Sequence, residues 1–283
     1  MDRSTQRERA QRFLRLHDGP DVLVVGSAWD PGSAVLFERE GFEAIATSSA
    51  GVAYSLGHPD GERIPRDEML AAVARIVQAT RLPVSADVEM GYGRKAREVS
   101  ETCRGVLETG AIGVNLEDAT GDDDRPLVEP EQQAEKIRAV REMAESFGVH
   151  LVVNARTDVY LLRVGEEPAR FADAVRRTNL YRQAGADCLF VPGVADRATI
   201  ERLVREIDGP LNVLAGAGTA PVAELATLGV RRVSQGSGPA RAALATARRV
   251  VHELRTRGTY AGYTADAISY AEANRLFERG GSR

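Results

Sequence analysis

A closed (β/α)₈ barrel is the fold this sequence predicts, and three observations predict it. Short apolar, β-branched runs alternate with amphipathic segments eight times. Those runs are apolar on both faces, the mark of a parallel sheet covered by helices rather than of a half-exposed antiparallel one. The 283 residues also match the roughly 250 that one such barrel takes, and eight units over this length favour closure over an open doubly wound sheet.

The elements follow in order. In "MDRSTQRERAQRFLRLH" the helical spacing of Phe13, Leu14 and Leu16 predicts a packing helix rather than a basic arm. The eight strands are read at 21–27, 42–49, 82–89, 112–118, 150–158, 187–193, 211–216 and 231–236. Their helices follow at 31–41, 66–80, 95–109, 131–147, 168–184, 196–207, 221–228 and 239–256. "ETGAIGV", "RQAGADCLF" and "ATLGVRRV" each put a glycine between helix and strand, where a left-handed residue turns the chain back to the sheet. No linker or low-complexity stretch divides the chain, so 1–283 reads as one domain: a barrel over about 18–256 and a helical tail over 257–283.

The net charge of −4 is spread over both signs without a basic stripe, which argues against nucleic acid or an anionic membrane as partner. The longest apolar runs fall far short of a membrane span, and no apolar stretch follows the N-terminal charges as it does in a signal peptide. Cys103 and Cys188 lie in apolar surroundings and read as two reduced thiols. The expected location is cytoplasmic.

Chemistry in such a barrel sits at the C-terminal ends of the strands. There the chain delivers Trp29, then Ser48, Ser49 and Ala50, then Asp87 and Glu89, Glu117, and Arg156, with Asp60 in the loop after the second strand. Asp87 and Glu89 are two apart and so point to one side of a strand. Together with Glu117 and Asp60 they crowd carboxylates into one mouth, which raises their pKa values unless a cation intervenes. Oxygen-only donors suit a hard divalent ion, and the lack of cysteine and near lack of histidine at these ends argues against zinc. Arg156 reads either as the cation for a bound carboxylate or developing enolate, or as a structural partner of Glu117 or Asp158. The Ser48–Gly51 turn, small and rich in backbone N–H, suits an anionic substrate group. Trp29 belongs either to the wall of the pocket or to the core.

"SSAGVAYSLGHPDG", "DVEMGYG", "NLED" and "NARTD", in that order, resemble the isocitrate lyase/phosphoenolpyruvate mutase superfamily, over about Phe13 to Phe277. The likeness is greatest to its short members, the phosphonomutases and methylisocitrate lyase. The resemblance implies that Asp87 ligates Mg²⁺ (or Mn²⁺) directly and that Asp60, Glu89 and Glu117 hold the metal's waters. It implies that Ser48, Ser49 and Ala50 bind the substrate carboxylate and oxyanion, and that Arg156 contacts substrate. It further implies a 2-oxo acid or enolpyruvate ligand, bond breaking or making next to the keto group through a metal-bound enolate, and a C-terminal helix swapped in dimers or tetramers.

Two departures bear on the reaction. The lyases carry a Lys-Lys-Cys-Gly-His signature after the fourth strand, whereas this chain has no cysteine, lysine or histidine between Asp118 and Glu135. The phosphonopyruvate-forming mutases carry asparagine and lysine in that loop and a His-Ser pair after the sixth strand. This chain has Asp122-Asp123-Asp124, with Arg125 as the loop's cation, and then Val191-Pro192-Gly193. The expected activity is therefore Mg²⁺-dependent C–C lyase chemistry on a small 2-oxo acid. Phosphonomutase or phosphonopyruvate hydrolase chemistry at a P–C bond, and a non-catalytic keto-acid-binding barrel, are the alternatives.

Overall fold

A computed structural model describes residues 2–278; the end of the expected tail, 279–283, lies outside the described residues. The strands are β1 (Leu23–Val24), β2 (Gly26–Ala28), β3 (Ile45–Thr47), β4 (Val84–Asp87), β5 (Gly113–Glu117), β6 (Val152–Arg156), β7 (Cys188–Phe190), β8 (Leu211–Leu214) and β9 (Arg232–Ser234). The helices are α1 (Arg3–Asp18), α2 (Pro31–Arg39), α3 (Ser49–Ser55), α4 (Arg66–Ala79), α5 (Ala96–Thr109), α6 (Pro130–Phe147), α7 (Ala169–Gln183), α8 (Arg197–Glu206) and α9 (Val222–Thr227). After them come α10 (Gly238–Arg257), α11 (Ala261–Thr264) and α12 (Tyr270–Phe277).

All strand pairings are parallel, in the order β1-β9-β8-β7-β6-β5-β4-β3-β2. The sequence-predicted first strand is split at Val25, where the chain changes neighbours. Val25 N–H bonds to Val233 O, and the next residue, Gly26, bonds to Ala44 O. That switch joins the two ends of the sheet into a (β/α)₈ barrel with eight strands in the ring.

Register decides which side chains share a level. Asp87 pairs with Asn115 and Asn115 with Asn154, while Glu117 pairs with Arg156 and Arg156 with Phe190. Because alternate residues of a strand face opposite sides, Val114, Leu116, Val153 and Ala155 turn outward into the helical layer, where they are fully buried. The inward positions are mostly polar, including Ser27, Asn115, Asn154, Asn212 and Arg232, with Ala46, Phe190 and Leu214 as apolar exceptions. The strands are thus apolar on the outer face and largely polar on the inner one, which corrects the expectation of apolar runs on both. The barrel interior beneath the mouth is a hydrogen-bonding layer.

Local chemistry sets the ends of the elements. Asp30 caps α2 in a reciprocal box with Ser33, with Pro31 as first helical residue. Gly110 ends α5 and Gly148 ends α6 in the left-handed conformation. Helix α1 closes the N-terminal end of the barrel: Phe13 reaches Gly113 at the start of β5, and His17 lies beside Arg232 at the start of β9.

The chain after β9 behaves differently from the other seven units. Of the 20 residues of α10 only Ala240 is buried, and Leu244, Val251 and Leu254 are each about half exposed. The expected helical tail is present as α11 and α12, and α12 lies against α2 through Phe277 beside Gly32. No helix among the described residues is long and apolar enough to cross a membrane.

Candidate active site

The mouth of the barrel holds a cavity of about 290 Å³. Asp87, the last residue of β4, stands at its wall. Its Oδ2 accepts from Ser49 N–H at 3.0 Å and its Oδ1 from Asn115 Nδ2 at 2.9 Å, while its own N–H donates to Thr47 Oγ1 at 2.8 Å. Asn154 Nδ2 donates to Asn115 Oδ1 at 2.8 Å, so a row of side chains across three strands fixes the Asp87 carboxylate. Neither asparagine was singled out as a site residue from sequence. Each precedes a predicted site residue by two, and that spacing was the signal that places both on the same face.

The loop after β3 is a helix start rather than an open turn. Ser48 is the N-cap of α3, and its Oγ accepts from Gly51 N–H at 3.2 Å. With Ser49 N–H given to Asp87, Ala50 N–H is left without a bond among the described residues. Gly51 is required by close approach, since a Cβ there would come within 2.7 Å of Trp29 Cβ. Trp29 lies on the far side of that contact, half-buried beside Tyr54, Ala240 and Leu244, and it does not line the cavity that Asp87 lines.

Glu89 and Glu117 stand behind Asp87. Glu89 is buried and adopts φ 52°, a left-handed conformation unusual for glutamate. Its Oε2 accepts Glu62 N–H at 2.7 Å, and Glu62 Oε1 in turn accepts Tyr92 N–H at 2.7 Å. Glu62, also left-handed at φ 54°, was not anticipated from sequence. Gly91, at φ 95°, makes the turn behind Glu89, where a Cβ would collide with Val99 at 2.7 Å. Burial, then Asp87 and Asp60, pushes the Glu89 carboxyl up to about 8. Asp60 projects from an exposed loop into the cavity, where desolvation and Asp87 raise its pKa as well.

Arg156 reaches this cavity from β6. Its Nη1 lies 2.7 Å from Glu117 Oε2, and Nε and Nη2 lie 2.5 and 2.9 Å from the two oxygens of Asp158. Burial alone would lower the guanidinium pKa, but Glu117 and Asp158 hold it charged. Burial raises Glu117 well above the ordinary carboxylate range against the pull of Arg156. Asp158 is itself positioned: its N–H donates to Asp118 Oδ1 at 2.9 Å, and Asp118 Oδ2 accepts from Tyr181 Oη at 2.7 Å and Arg177 at 3.1 Å. The structure shows Arg156 as the partner of both Glu117 and Asp158, and it places Arg156 at the wall of the cavity.

The donor set fits a hard divalent cation. Asp60, Asp87 and Glu89 form no ion pair among the described residues; of the three guanidiniums that line the same cavity, Arg156 is already shared by Glu117 and Asp158, while Arg232 and Arg241 pair with none of these acids. Burial first, and mutual repulsion second, raise Glu89 and Asp60, and a cation held through oxygen would relieve the second of these. Among the described residues no group of three or more histidine, cysteine, aspartate or glutamate side chains lies close enough to hold a metal ion by itself. An ion such as Mg²⁺, which binds through one or two carboxylates and keeps several waters, does not need such a group.

Residues 13–255 match the family model described as phosphoenolpyruvate phosphomutase. The chain belongs to that family. A solved structure from Burkholderia cenocepacia J2315, named only at the level of lyase/mutase, is 39% identical, covers 98% of each chain and superposes with a TM-score of 0.91. The 2-methylisocitrate lyase of Bacillus subtilis (strain 168) is 31% identical over 214 residues, 74% of this chain and 67% of that one. A phosphonopyruvate hydrolase solved in complex with oxalate and Mg²⁺ is 26% identical, with a TM-score of 0.83 over 95% of this chain and 94% of that one. Phosphoenolpyruvate phosphomutase family members are enzymes of a superfamily of Mg²⁺-dependent lyases and phosphonomutases, and this chain is one of them.

Proposed function

We propose that this protein is a Mg²⁺-dependent lyase that breaks or forms the C–C bond next to the keto group of a small 2-oxo acid. The observation that carries the reading is the Asp87 carboxylate, pinned between Ser49 N–H and Asn115 at the edge of a cavity that also presents Asp60 and Arg156. Asp87 would hold the ion, with Asp60, Glu89 and Glu117 around it, and Mn²⁺ is expected to substitute. When bound, Mg²⁺ supplies Lewis-acid polarisation of a substrate keto oxygen.

The chain's own residues do the rest. Ala50 N–H, with the Ser48 and Ser49 side chains, offers donors to the substrate carboxylate at the start of α3. Arg156, held on two sides by Asp158 and Glu117, presents a fixed positive charge where negative charge develops on the substrate. The loop between Asp118 and Glu129 carries no thiol, lysine or histidine to move a proton, and its Asp122–Asp124 run opposes a second dense anion such as a phosphonate. The missing thiol argues against a cysteine-assisted cleavage, and the acidic run argues against P–C chemistry.

We further propose that the chain works as one barrel unit over 1–283, in the cytoplasm, as a homodimer or homotetramer in which a second copy covers the apolar side of α10. Trp29, packed against Gly51, supports the Ser48–Ala50 turn from behind. Turnover of a panel of 2-oxo and 2-hydroxy di- and tricarboxylates with Mg²⁺, run beside ³¹P NMR of phosphonopyruvate, tests the reaction. Carbon-acid turnover with an unchanged ³¹P spectrum is expected. Turnover of the phosphonate alone would replace this reading with the P–C one. Binding without turnover of any compound would make the barrel non-catalytic.

A further inference from the structure

A second cavity, about 600 Å³, lies beside the barrel mouth and shares no lining residue with it. One wall is the Gly91–Arg94 turn, the opposite wall is the 119–129 loop, and the floor is the first two turns of α6. The loop is a hairpin closed on itself by an Ala119–Leu127 bridge and by the Thr120 N–H bond to Pro126 O.

Lys136 rises from the α6 floor. It is 3% exposed and makes no hydrogen bond or ion pair among the described residues; the charges of Glu62, Asp118 and Glu98 reach it only at longer range. The hydroxyl of Tyr92, on the turn, is likewise buried without a partner. The Lys136 ammonium opens onto the cavity with no protein acceptor, and the Tyr92 phenol is a buried donor without one, which is costly to keep. Both line the same cavity. Tyr92 and Glu62 are also held in left-handed backbone at φ 52° and 54°, and such strain persists where the surroundings over-determine it.

We propose that this cavity binds the carboxylate of a small organic monoanion, with Lys136 as its donor and Arg94 and Arg125 at the rim. The lining also contains Glu62, Asp122 and Glu129, so three acids face the three cations and its formal charges balance. A dianion such as phosphate would meet three opposing carboxylates. A hydroxy acid instead offers its carboxylate to the cations and its hydroxyl to an acid. The Glu62 N–H bond to Glu89 Oε2 is the physical link from this cavity to the acids at the mouth. The site is independent of the proposed metal chemistry.

The test uses the full chain carrying Asp87→Ala, which removes the proposed metal anchor at the barrel mouth, and follows thermal unfolding without Mg²⁺ against glycolate, acetate and inorganic phosphate; a response at the mouth is one that Lys136→Met leaves unchanged. A saturable rise in Tm is expected with glycolate, a weaker one with acetate and the least with phosphate. Lys136→Met in the same background should raise the ligand-free Tm or leave it level, since it replaces an unpartnered buried ammonium with an apolar chain of similar shape. It should also weaken apparent glycolate affinity about tenfold or more, as loss of a charge-assisted contact does. Arg125→Ala, on the exposed hairpin, should weaken it less. The assignment is overturned if Lys136→Met lowers the ligand-free Tm, prevents folding or leaves the glycolate response intact, because Lys136 is then structural. It is also overturned if no carboxylate stabilises the protein, or if phosphate does so as strongly as glycolate. None of these results bears on Mg²⁺ binding at Asp87, which is measured separately.

Discussion

The Asp87 carboxylate is fixed by neutral donors alone, as a proposed cation ligand. Ser49 N–H takes one oxygen and the Asn115 amide the other, and Asn154 fixes which way that amide points. Asn115→Ala should therefore weaken Mg²⁺ affinity about 10- to 100-fold while the fold survives, the usual range for a group that orients a ligand. Titration of the variant by calorimetry checks this. Arg156 is the converse case, a cation that two buried acids need. Arg156→Met leaves Glu117 and Asp158 unpaired and should lower stability by about 3–5 kcal/mol in denaturant unfolding, with Arg156→Lys recovering part of it. Asp87, Glu117 and Arg156 were legible in the sequence because strand ends announce themselves as charges after apolar runs. Asn115, Asn154 and Glu62 were not. Asparagines inside a strand resemble interrupted apolar pattern until register sets them side by side. Glu62 matters through a loop path and a left-handed backbone that no local rule anticipates.

At the level of elements, the alternation of runs and glycine stops carried the whole ring, and the glycines after three helices do adopt positive φ at Gly110, Gly185 and Gly229. The split of the first strand was not legible, because Val25 changes partner for reasons set by barrel closure and not by its own neighbours. Helix α1 was legible as a packing helix through Phe13, yet its most consequential residue is His17, buried against Arg232. Burial first, and Arg232 second, push His17 down from 6.5 to about 4. The unfolded chain therefore takes up the proton first, and the stability tied to neutral His17 is complete above about 6.5 and lost as pH falls toward 4. Unfolding free energy should drop by on the order of 3 kcal/mol across that window from this group. His17→Gln should flatten that part of the pH–Tm curve. An unchanged slope would remove His17 as its source.

For the whole molecule, seven units bury their helices against the ring and the eighth does not. α10 carries an apolar row, with Leu244, Val251 and Leu254 about half exposed, which we propose a second copy of the chain covers. Leu244→Glu with Val251→Glu should shift the mass measured by light scattering toward that of one chain, and an unchanged mass would place the assembly contact elsewhere. The sequence showed helical material after the last strand, but a helix that leaves its own barrel has the same amphipathic pattern as one that stays. The same holds for the reaction: the acids at the mouth are written in strands, while the hairpin over 119–129 and the Lys136 cavity depend on how loops fold back. The central claim is that Asp87 anchors a divalent ion which recruits an oxo-acid ligand. Isothermal titration of Mg²⁺ in the presence of oxalate tests it most directly. The wild-type chain should bind both, each strengthening the other, and Asp87→Ala, still folded by circular dichroism, should bind neither. Undiminished Mg²⁺ and oxalate binding by Asp87→Ala would contradict the account.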